Sequence, residues 1–441
     1  MLAQWIGCAR AVYNGKDAEE RYQNWLRRYA KFSTRSFAPD EGESDFVFDQ
    51  AYSHLKPAKN EAPWFHEVPS QVYRNAMYQR GQAWAKYWDD PVHLGRPGRR
   101  KKGENDSVLL TNELFQFWGA GLVLIGTPRF PVGVVEYHEH RPCGEPNSVT
   151  ISKDLCGRWW LSFTFDDGRE KQSEGSILAR LETKTDAELA ALTVGFDRGI
   201  TQQVTGSDGS VHGYDAQKKA RFAKYLRRQR ALQKKLSRQT DKSSRRRGRT
   251  RVKLAKVSAQ ITSLRTDHAH QVSHRIVEHS PAEVLAFEAL KLGNMTRRAK
   301  PVLAESGDHY EENGAAAKSA LNRSLLHQSL GLILRFIRYK ALRAGKLVVE
   351  VPAAGTSQRC SCCGHTESDN RKGSHFACKK CGHQAHADAN ASVNIQSDGV
   401  SAVLTLLGRI RVQPCAEATR ERLTPLLKAP SKRSTSRHLA A

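Results

Sequence analysis

The sequence predicts an α/β protein of several domains. Three observations carry that prediction. At 441 residues the chain exceeds one ordinary core, and its length corresponds to about three units. Apolar residues recur at three- and four-residue steps through the first hundred positions, then give way at 107 to short β-rich runs. Beyond 190, three apolar strands alternate with long helical stretches, and two C-x-x-C-G knuckles follow the third strand.

The charge bounds the partners. Lys plus Arg is 70 and Asp plus Glu 45, a formal +25. The excess is clustered, which favours a polyanion, nucleic acid before an acidic membrane surface. No apolar run approaches the roughly 20 residues that span a bilayer, and no signal peptide opens the chain. The expectation is a soluble, intracellular protein. Of nine cysteines, four form the knuckles and Cys8, Cys143, Cys156 and Cys415 are scattered. That usage fits metal ligation in a reducing cytoplasm, not a secreted disulfide framework.

Each element has its own signal. Positions 3–13 and 18–30 have helical spacing, and 32–61 is a polar connection. Pro69 suits a first helical turn, and Val72, Tyr73, Ala76, Met77, Arg80, Ala83, Trp84 and Tyr87 continue that helix. Residues 95–105 (GRPGRRKKGEN) form a basic break. Strands are predicted at 108–111, 122–125, 132–137, 149–152 and 159–165, together a small antiparallel barrel or sandwich. A charged linker with a short helix covers 169–190. A strand at 192–197, a hairpin over 202–213, and two basic helices over 215–279 that break at Arg245–Gly248 come next. A strand at 284–288, a mobile loop at 300–318, a helix at 322–344 and a strand at 347–351 follow. A closing helix starts at 387, and the polar, basic tail from 412 is expected to be disordered.

Four constellations carry chemistry. Cys360, Cys363, Cys378 and Cys381 are spaced to close four thiolates around one zinc ion, leaving no position for water, so the site is structural. Cys362 lies one residue out of register. Asp197 and Glu288 each end an apolar strand, and Asp388 opens a helix just beyond the knuckles. A single acid at a strand end is more often a cap, but three at one sheet edge make a hard oxygen site for Mg²⁺ or Mn²⁺. Two such ions about 3.5–4 Å apart can clamp both oxygens of a phosphodiester undergoing hydrolysis. The third constellation is basic. Lys218, Lys219, Arg221, Lys224, Arg227, Arg228, Lys234 and Lys235, then Arg245, Arg246 and Arg247, join Arg99, Arg100 and Lys101 as candidate phosphate contacts. Composition does not choose between DNA and RNA. Last, Trp64, Tyr73, Tyr78, Trp84, Tyr87 and Trp88 could stack on bases, but their helical spacing favours an ordinary core.

The order VGFDRG, basic hairpin, VLAFEALKLGNM, Asn322-Arg323-Ser324, TSQRCSCCGH and CKKCGH…HADANASVNI resembles the TnpB proteins of insertion-sequence transposons, relatives of the compact type V CRISPR effectors. The resemblance is specific over about 190–396. QWIGCARAVYN, EVPSQVYRNAM and GRPGRRKK extend it more loosely toward the N-terminus. It implies an RNA-guided DNA endonuclease with an RNase H-like (RuvC) domain, in which Asp197, Glu288 and Asp388 hold Mg²⁺ or Mn²⁺ and the four cysteines hold Zn²⁺. It implies a guide RNA and double-stranded target DNA as partners, and a cytoplasmic, nucleoid-associated site of action. A guided DNA-binding repressor that does not cut, or a compact type V effector, is the alternative. The implied division is a helical recognition region (1–106), a β-barrel wedge domain (107–168), a linker (169–190), the nuclease domain (191–354 and 386–411), the zinc ribbon (355–385) and the tail (412–441). Two departures are visible. Relatives begin with an R-x-Y-P strand where Met1 here falls almost on the QWIGCAR helix, so the wedge domain is expected to lack a strand or the start to lie upstream. His386 stands where many relatives carry an acid.

Overall fold

A computed structural model of the chain describes residues 1–410, apart from 30–51, 92–93, 105, 141–142, 169, 171, 304–307, 309 and 312. The expected tail and most of the 32–61 connection therefore lie outside the described residues. Two units are distinguished: Met1–Arg169 with Gln239–Lys256, and Glu170–Arg238 with Val257–Ala441.

In the first unit the helical spacing becomes α1 (Leu2–Tyr29) and α2 (Ser70–Asp89). Pro69 stands at the N-cap of α2, one position earlier than first-turn placement. The strands are β1 (Asp106–Thr111), β2 (Phe115–Gly119), β3 (Leu122–Thr127), β4 (Phe130–Glu136), β5 (Ser148–Lys153) and β6 (Trp159–Thr164). They do not close a barrel. Two open antiparallel sheets form, β1-β5-β6 and β2-β3-β4. The cause is β2, which has no distinct signal in the sequence. It turns back on β3 to make a separate meander, while β1 pairs beyond it with β5. Trp5, Tyr73, Met77, Leu110, Ile125 and Ile151 share one core between helices and sheets.

The second unit begins with α3 (Glu174–Glu182) and α4 (Asp186–Ala191), two capped helices where one is predicted. Its sheet contains β7 (Thr193–Asp197), β8 (Val204–Gly206), β9 (Val211–His212), β10 (Val284–Glu288) and β11 (Leu347–Val351), in the order β11-β10-β7-β8-β9. β11, β10 and β7 run parallel, and β8 and β9 antiparallel. Between them come α5 (Ala216–Ser237), α6 (Arg245–His279, of which the stretch up to Lys256 is assigned to the first unit), the short α7 (Leu292–Met295), α8 (Ala315–Gln328) and α9 (Leu330–Arg343). The basic helices part at 238–244, not at Arg245–Gly248. Asp241 accepts from Ser243 in that turn, and the Gly248 N–H already bonds to the Ser244 carbonyl, so the arginines start α6. The predicted 322–344 helix is broken at Ser329, which has φ 55°. The break lets the Gln328 carbonyl accept from the Gln203 side chain at 2.8 Å.

β7 and β10 are buried along their whole length, which is why each reads as a continuous apolar run. Their period of two sorts the side chains. Val194, Phe196, Leu285 and Phe287 face Ile276 and Ile337 of α6 and α9. Val284 and Ala286 face Ile395 and Val403 of α10 (Ala387–Leu406). The helix lies so close that a Cβ on Gly195 would stand 2.3 Å from Gln396 N and Ser392 O, and one on Gly399 2.4 Å from the Ala286 Cβ. Between β11 and α10 sits a small antiparallel sheet of β12 (Arg371–Lys372), β13 (His375–Ala377) and β14 (Gln384–His386).

Candidate catalytic edge and thiol cluster

The register of two parallel strands sets the acidic edge. Phe196 pairs with Phe287, so the next residues, Asp197 and Glu288, end neighbouring strands at the same edge. Period two places both on the face that α10 covers, with Gly195 and Ala286. Asp388 lies in the first turn of α10. A β-carbon on Gly199, two residues past Asp197, would stand 3.9 Å from Asp388 Oδ2. The three acids predicted from sequence are thus electrostatic neighbours.

Their charges oppose one another. Burial, then the charges of Glu288 and Asp388, push the Asp197 carboxyl up to about 7, against the pull of Arg371. Burial also raises Glu288, opposed by the Thr356 hydroxyl, Arg198 and Arg371. Thr356 donates to the Glu288 carboxylate and Arg198 to the Glu288 carbonyl. Arg371, from β12, is 3.5 Å from Asp388 Oδ1. His386 caps α10, its Nδ1 accepting from the Asp388 N–H at 3.3 Å. With Asp197 and Glu288 buried and Asp388 half-buried, this oxygen-only, mutually repelling donor set has the chemistry that a hard divalent cation prefers, though its oxygens are not all gathered within 4.8 Å of one another.

The four knuckle sulfurs are gathered more tightly. All lie within 4.8 Å of one another, and among the described residues they are the His/Cys/Asp/Glu group assembled closely enough to hold an ion as it stands. Cys360 and Cys381 sulfurs are 3.7 Å apart, Cys363 and Cys378 3.6 Å. A tetrahedron with Zn–S bonds of about 2.3 Å has edges of about 3.8 Å, so the cluster fits Zn²⁺. Both knuckles share one backbone pattern. Gly364 N–H bonds to the Cys360 carbonyl and Cys360 N–H to His365; Gly382 and Cys378 repeat this with His383. Gly364 and Gly382 have φ 73° and 72°, the left-handed turn that glycine allows. Backbone N–H groups of Cys381 and Lys380 hold the Cys378 thiol low, at about 6.

The basic candidates divide. Lys219, Arg221, Lys224, Arg227, Arg228, Lys234, Lys235, Arg245, Arg246, Arg99 and Lys101 are exposed. Lys218 is engaged by Gln271, Arg247 by the Gln239 carbonyl, and Arg100 lies on the Tyr13 ring, 4.0 Å from its centroid. Of the six candidate stacking aromatics only Tyr73 is a core residue; Trp64, Tyr78 and Trp88 are exposed, and Trp84, Tyr87 and Trp88 pack on each other. Sequence reasoning missed Arg198, Thr356, Arg371, Asn370, Asn390 and Asn394. Arg198 had a signal, a cation directly after an apolar strand's terminal acid. Asn390 and Asn394 had one in their i, i+4 spacing. Arg371 and Thr356 come from segments with no local pattern.

Residues 176–299 match a family model described as "Probable transposase", of the OrfB_IS605 type, and 331–395 match "Cas12f1-like, TNB domain". The chain is 29% identical over 364 residues to "Putative RNA-guided DNA endonuclease InsQ" of Escherichia coli (strain K12), covering 82% of each. It is 27% identical over 406 residues to a protein named "Putative RNA-guided DNA endonuclease" of Streptomyces pristinaespiralis, covering 91% of this chain and 86% of that one. In fold it is similar to a chain of a Cas12f1–sgRNA–target DNA complex solved by cryo-EM, with TM-score 0.51 and 11% identity over 89% of this chain and 81% of that one. The two family models thus follow one another in the order of the motifs, and the chain is similar along most of its length to proteins named as RNA-guided DNA endonucleases.

Proposed function

We propose that this protein is an RNA-guided DNA endonuclease that hydrolyses phosphodiester bonds at the edge formed by Asp197, Glu288 and Asp388. The observation that carries the reading is the register of β7 and β10, which aligns two buried acids beneath a third. The sheet is read as an RNase H-like (RuvC) domain, because three parallel strands flanked by an antiparallel pair in the order 3-2-1-4-5 is the arrangement that β9-β8-β7-β10-β11 follows. The names of the relatives support guide RNA and target DNA as partners. No described helix is long and apolar enough to cross a membrane, in keeping with a cytoplasmic site of action.

The three carboxylates would hold Mg²⁺ or Mn²⁺, as a pair of ions in a two-metal mechanism, and when bound the ions would supply a more acidic water and charge neutralisation at the departing oxygen. The remaining work belongs to the chain. Asp197 and Glu288 bind through rigid strand ends. Thr356 fixes the Glu288 carboxylate, Arg371 fixes Asp388, and the buried Arg198 holds the β10 terminus by its carbonyl. The exposed lysines and arginines of α5 contact backbone phosphates.

The test is purified protein with its co-purifying RNA, a matching plasmid and Mg²⁺, alongside Asp197→Ala. Cleavage by the wild type and none by the variant is expected. Guided binding with no cleavage by either protein would instead identify a repressor, and salt-sensitive binding without guidance a general RNA-binding protein.

A further inference from the structure

We infer that Asn390 is a positioning residue that couples the thiol cluster to the acidic edge, so that zinc and divalent-ion binding strengthen one another; this rests on the reading just given. Asn390 is 1% exposed. Its amide nitrogen donates to the Arg359 carbonyl at 2.7 Å, and its oxygen accepts the Ser361 N–H at 2.9 Å. Those residues flank Cys360 on both sides. One turn along the same helix, the buried Asn394 donates to the carbonyls of Arg359 and Thr356, at 2.6 and 2.9 Å. Thr356 in turn donates to the Glu288 carboxylate.

The helix that begins with Asp388 is therefore fastened, through its first two turns, to the backbone around the first knuckle thiol. The Asn394 bond reaches on to Glu288 by way of Thr356. The conformation of 359–361 depends on the knuckle, where Cys360 N–H bonds to His365 and its carbonyl accepts from Gly364. An ion on the four sulfurs fixes that backbone, and Asn390 passes the constraint to the position of Asp388. The primary amide supplies both the donor and the acceptor used here: an ionised aspartate cannot donate, and an aliphatic side chain does neither. Asn370, also 1% exposed, supplies a control. Its amide joins the Gln358 and His365 carbonyls to the Lys379 N–H, tying knuckle to knuckle.

Coupling of this kind is reciprocal for binding free energies. The experiment uses the full chain and Mn²⁺ alone, titrated by electron paramagnetic resonance into zinc-loaded and zinc-stripped protein. Zinc affinity is measured by competition with a zinc-selective chelator, with and without saturating Mn²⁺. In the wild type, each metal should strengthen the other by about tenfold. In Asn390→Ala both factors should fall to about one, and in Asn390→Asp, which keeps the bond from the Ser361 N–H, to an intermediate value. Asn370→Ala should weaken zinc yet keep the coupling factor. Wild-type protein that binds Mn²⁺ equally with and without zinc would overturn the coupling alone, as would an Asn390→Ala variant that keeps the full factor. Wild-type protein that binds no Mn²⁺ would overturn the coupling and the nuclease reading together.

Discussion

Asp197 is an acid whose charge the fold resists. Its pKa rises from 3.8 to about 7 through burial and the neighbouring charges of Glu288 and Asp388. The native state then binds a proton more tightly than the unfolded chain, so this residue supports stability at low pH and withdraws it as pH climbs from 3.8 toward 7. Asp197→Asn should therefore raise the Tm of divalent-free protein by a few degrees at pH 8. The gain should shrink toward pH 5, while cleavage is lost at every pH. Thermal melts across that range check the sign; a variant that melts lower at pH 8 contradicts it. The same proton competes with an ion. Apparent Mn²⁺ affinity should rise up to about tenfold per pH unit below 7 and level off above it, which calorimetric titration at pH 6, 7 and 8 would read.

Elements place these residues. Gly195 lets α10 rest on β7, and a Cβ there would meet backbone atoms at 2.3 Å. Overpacking of this kind costs about 1–3 kcal/mol or more. Gly195→Val should lower the denaturation midpoint and abolish cleavage by displacing Asp388 from the strand ends; unchanged melting and cutting would show that the helix does not need that approach. Cys378→Ser should release zinc, seen by elemental analysis, and reduce cleavage at least tenfold because Asp388 follows the second knuckle closely. Much of this level was legible in the sequence. An apolar run ending in an acid and a C-x-x-C-G knuckle are local patterns, so Asp197, Glu288 and the four cysteines could be named as candidates before any fold, and Asp388 by its place just beyond the second knuckle. Strand pairing is not local. Nothing in 107–165 shows that β1 passes over β2-β3-β4 to meet β5, so two open sheets replaced the expected barrel. Ser329 and Arg371 owe their roles to partners far along the chain, Gln203 for the break at Ser329 and Asp388 for Arg371.

Over the whole molecule, the net charge of +25 narrows to particular surfaces. Lys219, Arg221, Lys224, Arg227 and Arg228 of α5 are exposed, whereas Lys218, Arg247 and Arg100 are engaged within the protein. Neutralising the five exposed residues should flatten the salt dependence of duplex binding by about 0.9 in log–log slope for each phosphate that is no longer neutralised. Replacing Arg100 should instead lower stability with little change in slope. Binding measured from low to high salt separates the two outcomes. On the proposed function, three acids far apart in sequence form one divalent-ion site. Anomalous diffraction from crystals soaked in Mn²⁺ would locate it. A peak within coordination distance of Asp197, Glu288 and Asp388 is the predicted result; Mn²⁺ bound only elsewhere, with that edge empty, would contradict it.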